Sequence, residues 1–316
     1  MSDKKIIAVL GATGAQGGGL ARAILNDPAG EFALRAITRK VGAERAQELK
    51  AAGAELVEAD LDDVESLQKA FSGAYGVYGL TNFWEHFSGD KEKVQAGNIA
   101  EAARRAGVKH AIWSTFEDVR ESIPLTDARM PNLQEKYKVP HFDAKAEGNS
   151  FFRDAGVPTT YLLTSFYWDN LIHFGLGPKK GPDGVLAITF PTGDKKLPGI
   201  WVEDIGKCAL GIFKAGDKYK GKTVGVAGDH LTGEQMAASL TKALAQTVRF
   251  NAVTPDAYRS FGFPGADELG NMFQFKADCE ALYTGNRNLA ESRALNTELK
   301  DFAQWLAVFK DRIPLE

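Results

Sequence analysis

The sequence predicts a doubly wound parallel α/β sheet followed by a smaller α/β C-terminal domain. Three observations carry this reading. Short apolar runs alternate with helical stretches through the first two thirds of the chain. A glycine-rich turn joins the first run to the first helix, and beyond Leu163 the pattern changes to an aromatic cluster and a stretch rich in Gly and Pro, 175–184.

The apolar runs are 6–10, 34–38, 55–58, 76–80, 111–114 and 160–163, which predicts six strands. The helices between them carry end signals. The segment 90–106 stops at Gly107, and 141–155 begins after Pro140 and stops at Gly156, with Pro158 beyond. Past the change, 185–190 reads as a strand, and Thr232 with Gln235 makes a capping box for a helix to about Ala245. Thr254-Pro255 places an N-cap before a first-turn proline, and 297–309 reads as a terminal amphipathic helix. Asp204 reads as the N-cap of a helix holding an inert, buried Cys208. The expected division is 1–160 and 161–316, with a soft boundary because strands of the two parts can interleave.

At 316 residues, with 44% hydrophobic and 25% charged residues, the chain has the composition of a globular protein. Its formal net charge of -3 gives no global field that favours nucleic acid or an anionic membrane. Cys208 and Cys279 cannot form a disulfide framework, which points to a reducing compartment, cytoplasmic with nuclear access open. The charged start Met1–Lys5 imitates a leader, but its apolar run stops after five residues at Gly11. No window approaches the roughly 18 apolar residues of a membrane span, and no histidine has metal-ligand spacing with Cys, Asp or Glu.

The first strand leads directly into Gly11-Ala12-Thr13-Gly14-Ala15-Gln16-Gly17-Gly18-Gly19. Glycines at this spacing let the chain turn tightly, let backbone approach a pyrophosphate, and aim helix N–H groups at the anion. In a strand-turn-helix context this is the dinucleotide-binding signature of a Rossmann sheet. The second strand ends in Thr38-Arg39-Lys40, where an NAD-selective fold would carry a carboxylate for the ribose 2′-hydroxyl. Guanidinium and ammonium groups suit a 2′-phosphate instead, so the expected cofactor is NADP(H). After the third strand, Asp60 and Leu61 can meet adenine, while Asp62 reads equally well as a helix cap. After the fourth, Thr81, Asn82 and Phe83 lie where the nicotinamide-side ribose is expected.

These segments, together with His141-Phe142-Asp143-Ala144-Lys145 and Phe261-Gly262-Phe263-Pro264-Gly265-Ala266, resemble the NmrA-like family of atypical short-chain dehydrogenase/reductase proteins over essentially the whole chain. The likeness is nearest to its redox-sensor branch, whose members bind NADP(H) and are thought to report its level to partner proteins. The resemblance implies a phosphate loop at Gly11, Ala12, Thr13, Gly14, Ala15 and Gln16, a 2′-phosphate clamp at Arg39 and adenine contacts at Asp60 and Leu61. It implies nicotinamide-side contacts at Thr81, Asn82, Phe83 and Lys145, and a cleft segment at Tyr167, Trp168, Asp169 and Asn170. Val94 departs from it, standing where that branch has a further basic contact.

No tyrosine has lysine four residues later; Tyr137 has His141 there. The acid-base set is therefore reduced to Ser114, His141 and Lys145, the last two one helical turn apart on a shared face. Two readings remain. Without a proton donor, the chain is a sensor that responds to the NADPH/NADP⁺ ratio and acts on a regulatory protein partner. With His141 or Lys145 as acid, it is a reductase of a small carbonyl, quinone or activated alkene. Neither reading needs nucleic acid or membrane, and both leave a homodimer open.

Overall fold

A computed structural model describes residues 4–27 and 29–315; Met1–Asp3, where the leader-like start begins, lie outside them. The chain forms two compact units, and both are discontinuous in sequence. The first comprises 1–118, 141–164 and 202–224, and the second 119–140, 165–201 and 225–316. The two interleave: 119–140 belongs to the second unit, and the helix Val202–Lys214 with the residues to 224 returns to the first.

In the first unit the elements run β1 Lys5–Val9, α1 Ala15–Leu25, β2 Phe32–Thr38, α2 Glu44–Ala51, β3 Glu55–Glu58, α3 Val64–Phe71, β4 Gly76–Gly79, α4 Gly89–Arg105, β5 His110–Thr115, α5 Pro140–Asp154 and β6 Thr159–Leu163. The sheet has the order β3-β2-β1-β4-β5-β6, and Thr223–Gly225 adds a seventh strand outside β6. The strands β1 to β6 pair in parallel. That orientation explains their nearly continuous apolar sequences, since a sheet covered on both faces buries alternate and intervening residues alike. Ala8, Leu10, Leu67, Phe71, Val77, Ile99, Trp113 and Phe152 meet in one buried cluster between sheet and helices. Each fully buried large side chain of this kind contributes about 2–3 kcal/mol. Asp63 rather than Asp62 caps α3, accepting from the backbone N–H groups of Glu65 and Ser66.

The return of Val202–Lys214 is fixed by a backbone-to-backbone contact with α1. A Cβ on Gly206 would lie 2.1 Å from the Gly19 carbonyl carbon and the Leu20 nitrogen, and one on Gly19 would lie 2.9 Å from the Val202 oxygen. Arg22 and Glu203 close the same contact with an ion pair. Asp204 sits within the first turn of this helix, fully buried, and is not its cap. Cys208, one turn on, is fully buried, and burial pushes its thiol up.

The second unit holds two three-stranded sheets. In one, Lys196–Ile200 runs antiparallel to Asp229–Thr232 and parallel to Phe166–Tyr167. In the other, Leu186–Phe190 runs antiparallel to Lys179–Lys180 and parallel to Val248–Ala252. The Thr232/Gln235 capping box opens helix Gly233–Leu244, and Thr254 caps Pro255–Arg259. The terminal helix begins only at Phe302, because Asp301 with Gln304 forms a second capping box there. The segment 119–140 is held by buried side chains. Asn271 donates to the Pro131 and Lys138 carbonyls, Gln274 donates to that of Arg129, and the Lys138 ammonium reaches the carbonyls of Asp127 and Met130.

Substituting Gly206→Ala should cost about 3 kcal/mol of unfolding free energy, since rigid backbone meets the added methyl. Gly42→Ala, with nothing within 4 Å of its Cβ, should change stability by less than about 0.5 kcal/mol. Paired urea titrations check both; equal stability of the two variants would remove the helix contact from this account.

Candidate functional site

In a parallel sheet the carboxyl ends of the strands form a common edge, and a crevice opens where the chain order reverses. Here that point lies between β1 and β4, and the sequence-predicted residues of the first unit fall along this edge. Gly11 turns the chain out of β1 with φ of 60°, in the left-handed region that favours glycine. The turn closes through Gly14 N–H to the Gly11 carbonyl at 2.8 Å. A Cβ on Gly17 would lie 2.4 Å from the Leu10 and Gly11 oxygens, so α1 can start this close to the turn only with glycine at 17. Gly14 is the N-cap of α1 and has no side chain to accept from the first turn. The N–H groups of that turn therefore present their positive end at the sheet edge.

Gln16 ties this turn to neighbouring strands: its Oε1 accepts from the Tyr78 hydroxyl at 2.8 Å and the Ser114 hydroxyl at 2.9 Å. Ser114, read from sequence as one of the reduced acid-base set, thus lies against Gln16 of the glycine turn. Arg39 and Lys40 are exposed at the end of β2, ahead of α2 rather than at its start. Arg39 forms an ion pair with Glu85, which sits in a single helical turn, Phe83–Glu85, after β4. Asp60 is exposed and Leu61 half-buried beyond β3. Asp62 pairs with Lys91 at 2.5 Å and with Gln95 at 3.1 Å, and the Lys91 bond holds its carboxyl below the usual range.

Lys145 projects from α5 into the interior. Its ammonium donates to the Thr81 carbonyl at 2.9 Å and the Thr81 hydroxyl at 2.5 Å, and a carboxylate oxygen of Glu92 lies 3.5 Å away. Glu92 is 1% exposed, and among the described residues neither of its carboxylate oxygens has a hydrogen-bond partner, so the ion pair with Lys145 is its compensation. Burial pushes the Lys145 ammonium below the ordinary lysine range, and Glu92 opposes that shift. The three N–H donors of Lys145 therefore face three acceptors from the protein itself. One turn earlier, the buried His141 ring stands within 6 Å of the ring centres of Phe83, Trp84, Phe116 and Phe142. Phe116 and Phe142 stack at 4.0 Å, which fixes one wall of this aromatic group. Asn82 and Trp84 are exposed beside it, Phe83 is buried, and Val94 is exposed on α4.

The run at 167–170 belongs to the second unit. Trp168 is a core residue there: 1% exposed, it packs on Phe302 and Trp305 and fills the space that side chains at 199 and 228 would need. Tyr167, Asp169 and Asn170 are half-buried. Two functional candidates escaped sequence reasoning. Glu92 lies on the buried stripe of α4 with Gln95, Ala96, Ile99 and Ala103, and a carboxylate in an apolar stripe was the available signal. Glu85 carried none, because its partner is 46 residues away. Among the described residues, no three His, Cys, Asp or Glu side chains are placed to hold a metal ion, and no helix is long and apolar enough to cross a membrane.

A glycine turn at the switch point of a parallel sheet, followed by an uncapped helix end, defines a Rossmann-type α/β architecture. The model of the NmrA-like family matches residues 3–306, and the chain belongs to that family. It is 29% identical over 286 residues to the NmrA-like family domain-containing oxidoreductase FrzB of Cladobotryum sp, covering 85% of this chain and 83% of FrzB. Among solved structures, the negative transcriptional regulator NmrA in complex with NADP superposes with a TM-score of 0.79 at 24% identity, over 99% of this chain and 97% of NmrA. The triphenylmethane reductase of Citrobacter sp., complexed with NADP(H), superposes with a TM-score of 0.75 at 23% identity, over 96% of this chain and all of that one. At these identities the two structures support the fold alone.

Removing one partner of a buried ion pair strands the other charge, at a cost of about 3–5 kcal/mol. Lys145→Ala should lose that much in denaturant unfolding, and Lys145→Met combined with Glu92→Leu should recover most of it. A loss below about 1 kcal/mol for Lys145→Ala would mean that the two groups are not an ionised pair.

Proposed function

We propose that this protein binds NADP(H) along the carboxyl edge of its seven-stranded sheet and works as a redox sensor, its bound state altering what it offers to a regulatory protein partner. The carrying observation is Arg39 at the end of β2, the strand paired with β1, whose glycine turn admits no side chain at residue 17. The fit is chemical. The turn Gly11–Gln16 and the uncapped end of α1 suit a pyrophosphate, and Arg39 with Lys40 suits a 2′-phosphate, for which a guanidinium offers paired donors. Asp60 and Leu61 take the adenine, and Thr81, Asn82 and Phe83 the nicotinamide side.

The sensor reading draws on the state of the acid-base set. Ser114 is bonded to Gln16, the donors of Lys145 face Thr81 and Glu92, and no tyrosine precedes a lysine by four residues. Lys145 then contributes to cofactor affinity by fixing Thr81. When bound, NADPH supplies a hydride equivalent; what this chain adds is the selection and seating of that cofactor.

A second reading, an NADPH-dependent reductase, is favoured by His141. Its ring is bounded by the rings of Phe83, Trp84, Phe116 and Phe142, a setting in which an imidazole can pass a proton to a planar substrate. The oxidoreductase names of the curated relatives support the same reading. Under it the substrate is a small carbonyl, quinone or activated alkene.

Arg39→Glu should weaken NADPH binding at least about tenfold in calorimetric titration, since the phosphate would meet a like charge, and should leave NADH binding within about twofold. Equal losses for both cofactors would contradict the 2′-phosphate assignment. Following 340 nm absorbance of the NADPH complex against quinones, aldehydes and enones separates the two readings: oxidation abolished by His141→Ala makes the protein a reductase.

A further inference from the structure

We propose that Glu85 is the residue that sets the preference between NADP(H) and NAD(H), by occupying Arg39 until a 2′-phosphate takes its place. The inference rests on the cofactor reading above and deepens it.

Arg39 does not wait as a free cation. Its guanidinium is paired with the Glu85 carboxylate, and the two side chains are 61% and 45% exposed. A phosphate seated on Arg39 therefore competes with that carboxylate for the guanidinium, and is repelled by it as a like charge if it stays. The displacement is feasible because an exposed ion pair in water is weakly held, whereas a phosphate carries more charge and more acceptor oxygens than a carboxylate. A dinucleotide without the phosphate makes no claim on Arg39, so the Arg39–Glu85 pair persists when NAD(H) is bound. Glu85 thus lowers affinity for NADP(H) and leaves NAD(H) untouched.

Its position gives the exchange a structural consequence. Glu85 closes the single turn Phe83–Glu85, in which Phe83 is buried and Trp84 exposed, and Phe87 just beyond it is exposed as well. The segment is held by bonds from the His86 and Phe87 N–H groups to the Phe83 carbonyl, and Phe87 sits at φ of 53°, where a side chain is strained. Trp84 and Phe87 pack edge to face at 5.7 Å, forming an aromatic surface tethered at one end to Arg39 through Glu85. Release of Glu85 loosens that tether. The protein then presents a different aromatic surface when the phosphorylated cofactor is bound than when NAD(H) is bound.

The test is Glu85→Gln, an exposed substitution that keeps the shape of the side chain. NADPH and NADH affinities are measured by calorimetry, and amide exchange of 83–88 is followed with each cofactor. In the variant, NADPH binding should tighten about threefold to fivefold, the coupling expected of an exposed ion pair, with NADH within about 1.5-fold of wild type. In the wild type, exchange at 84–88 should rise with NADPH and not with NADH; in the variant it should be raised with either cofactor. NADPH binding to the wild type that the variant leaves unchanged, or exchange at 84–88 that no cofactor alters, overturns the assignment of Glu85 alone. Failure of the wild type to bind NADPH at all overturns the cofactor reading itself.

Discussion

A side chain at residue 17 would lie 2.4 Å from the carbonyls of Leu10 and Gly11, so α1 can follow β1 this closely only with bare backbone at that position. The rest of the sheet edge depends on that constraint. It lets α1 start at the mouth of the crevice with its positive end exposed. It also places Gln16 where it can accept from Tyr78 on β4 and Ser114 on β5, registering three strand ends against one another. The same lack of side chains continues along α1 to Gly19, which admits the helix Val202–Lys214 through Gly206. A single glycine-rich stretch thus shapes the anion-facing turn on one side and returns a distant segment of chain to the unit on the other.

Charge is organised around this edge in two contrasting ways. Glu92 and Lys145 are buried, and their cost of desolvation is offset by each other and by Thr81, so they fix the end of β4 rather than respond to solvent. Arg39 and Glu85 are exposed, and their pairing is weak enough to be exchanged for a ligand phosphate. The buried pair provides rigidity beside Thr81; the exposed pair, under the proposed reading, is the point at which binding alters the surface.

Much of the fold was legible because a parallel sheet writes its strands as apolar runs and its helices with caps. The six expected strands, β1 to β6, fall within two residues of their expected bounds, and the Thr232/Gln235 and Thr254 caps stand where their sequence places them. What escaped depends on contacts between distant residues. The seventh strand and the return of 202–224 are set by Gly206 against Gly19, and no local pattern records that meeting. Capping was misjudged by a residue at Asp62 and Asp63 because adjacent aspartates offer the same chemistry and only backbone geometry chooses between them. The terminal helix looked longer than it is because the apolar pattern continues ahead of the Asp301 cap. The glycine turn and Arg39 were visible from spacing, whereas Glu85 acquires its meaning only from the side chain it meets.

The most direct test of the account is a crystal structure of the protein with NADP⁺. The account predicts the pyrophosphate against the Gly11–Gly17 turn, the 2′-phosphate on Arg39, and the Glu85 carboxylate turned away from that guanidinium. A cofactor bound elsewhere, or a 2′-phosphate pointing into solvent with the Arg39–Glu85 pair intact, would contradict it.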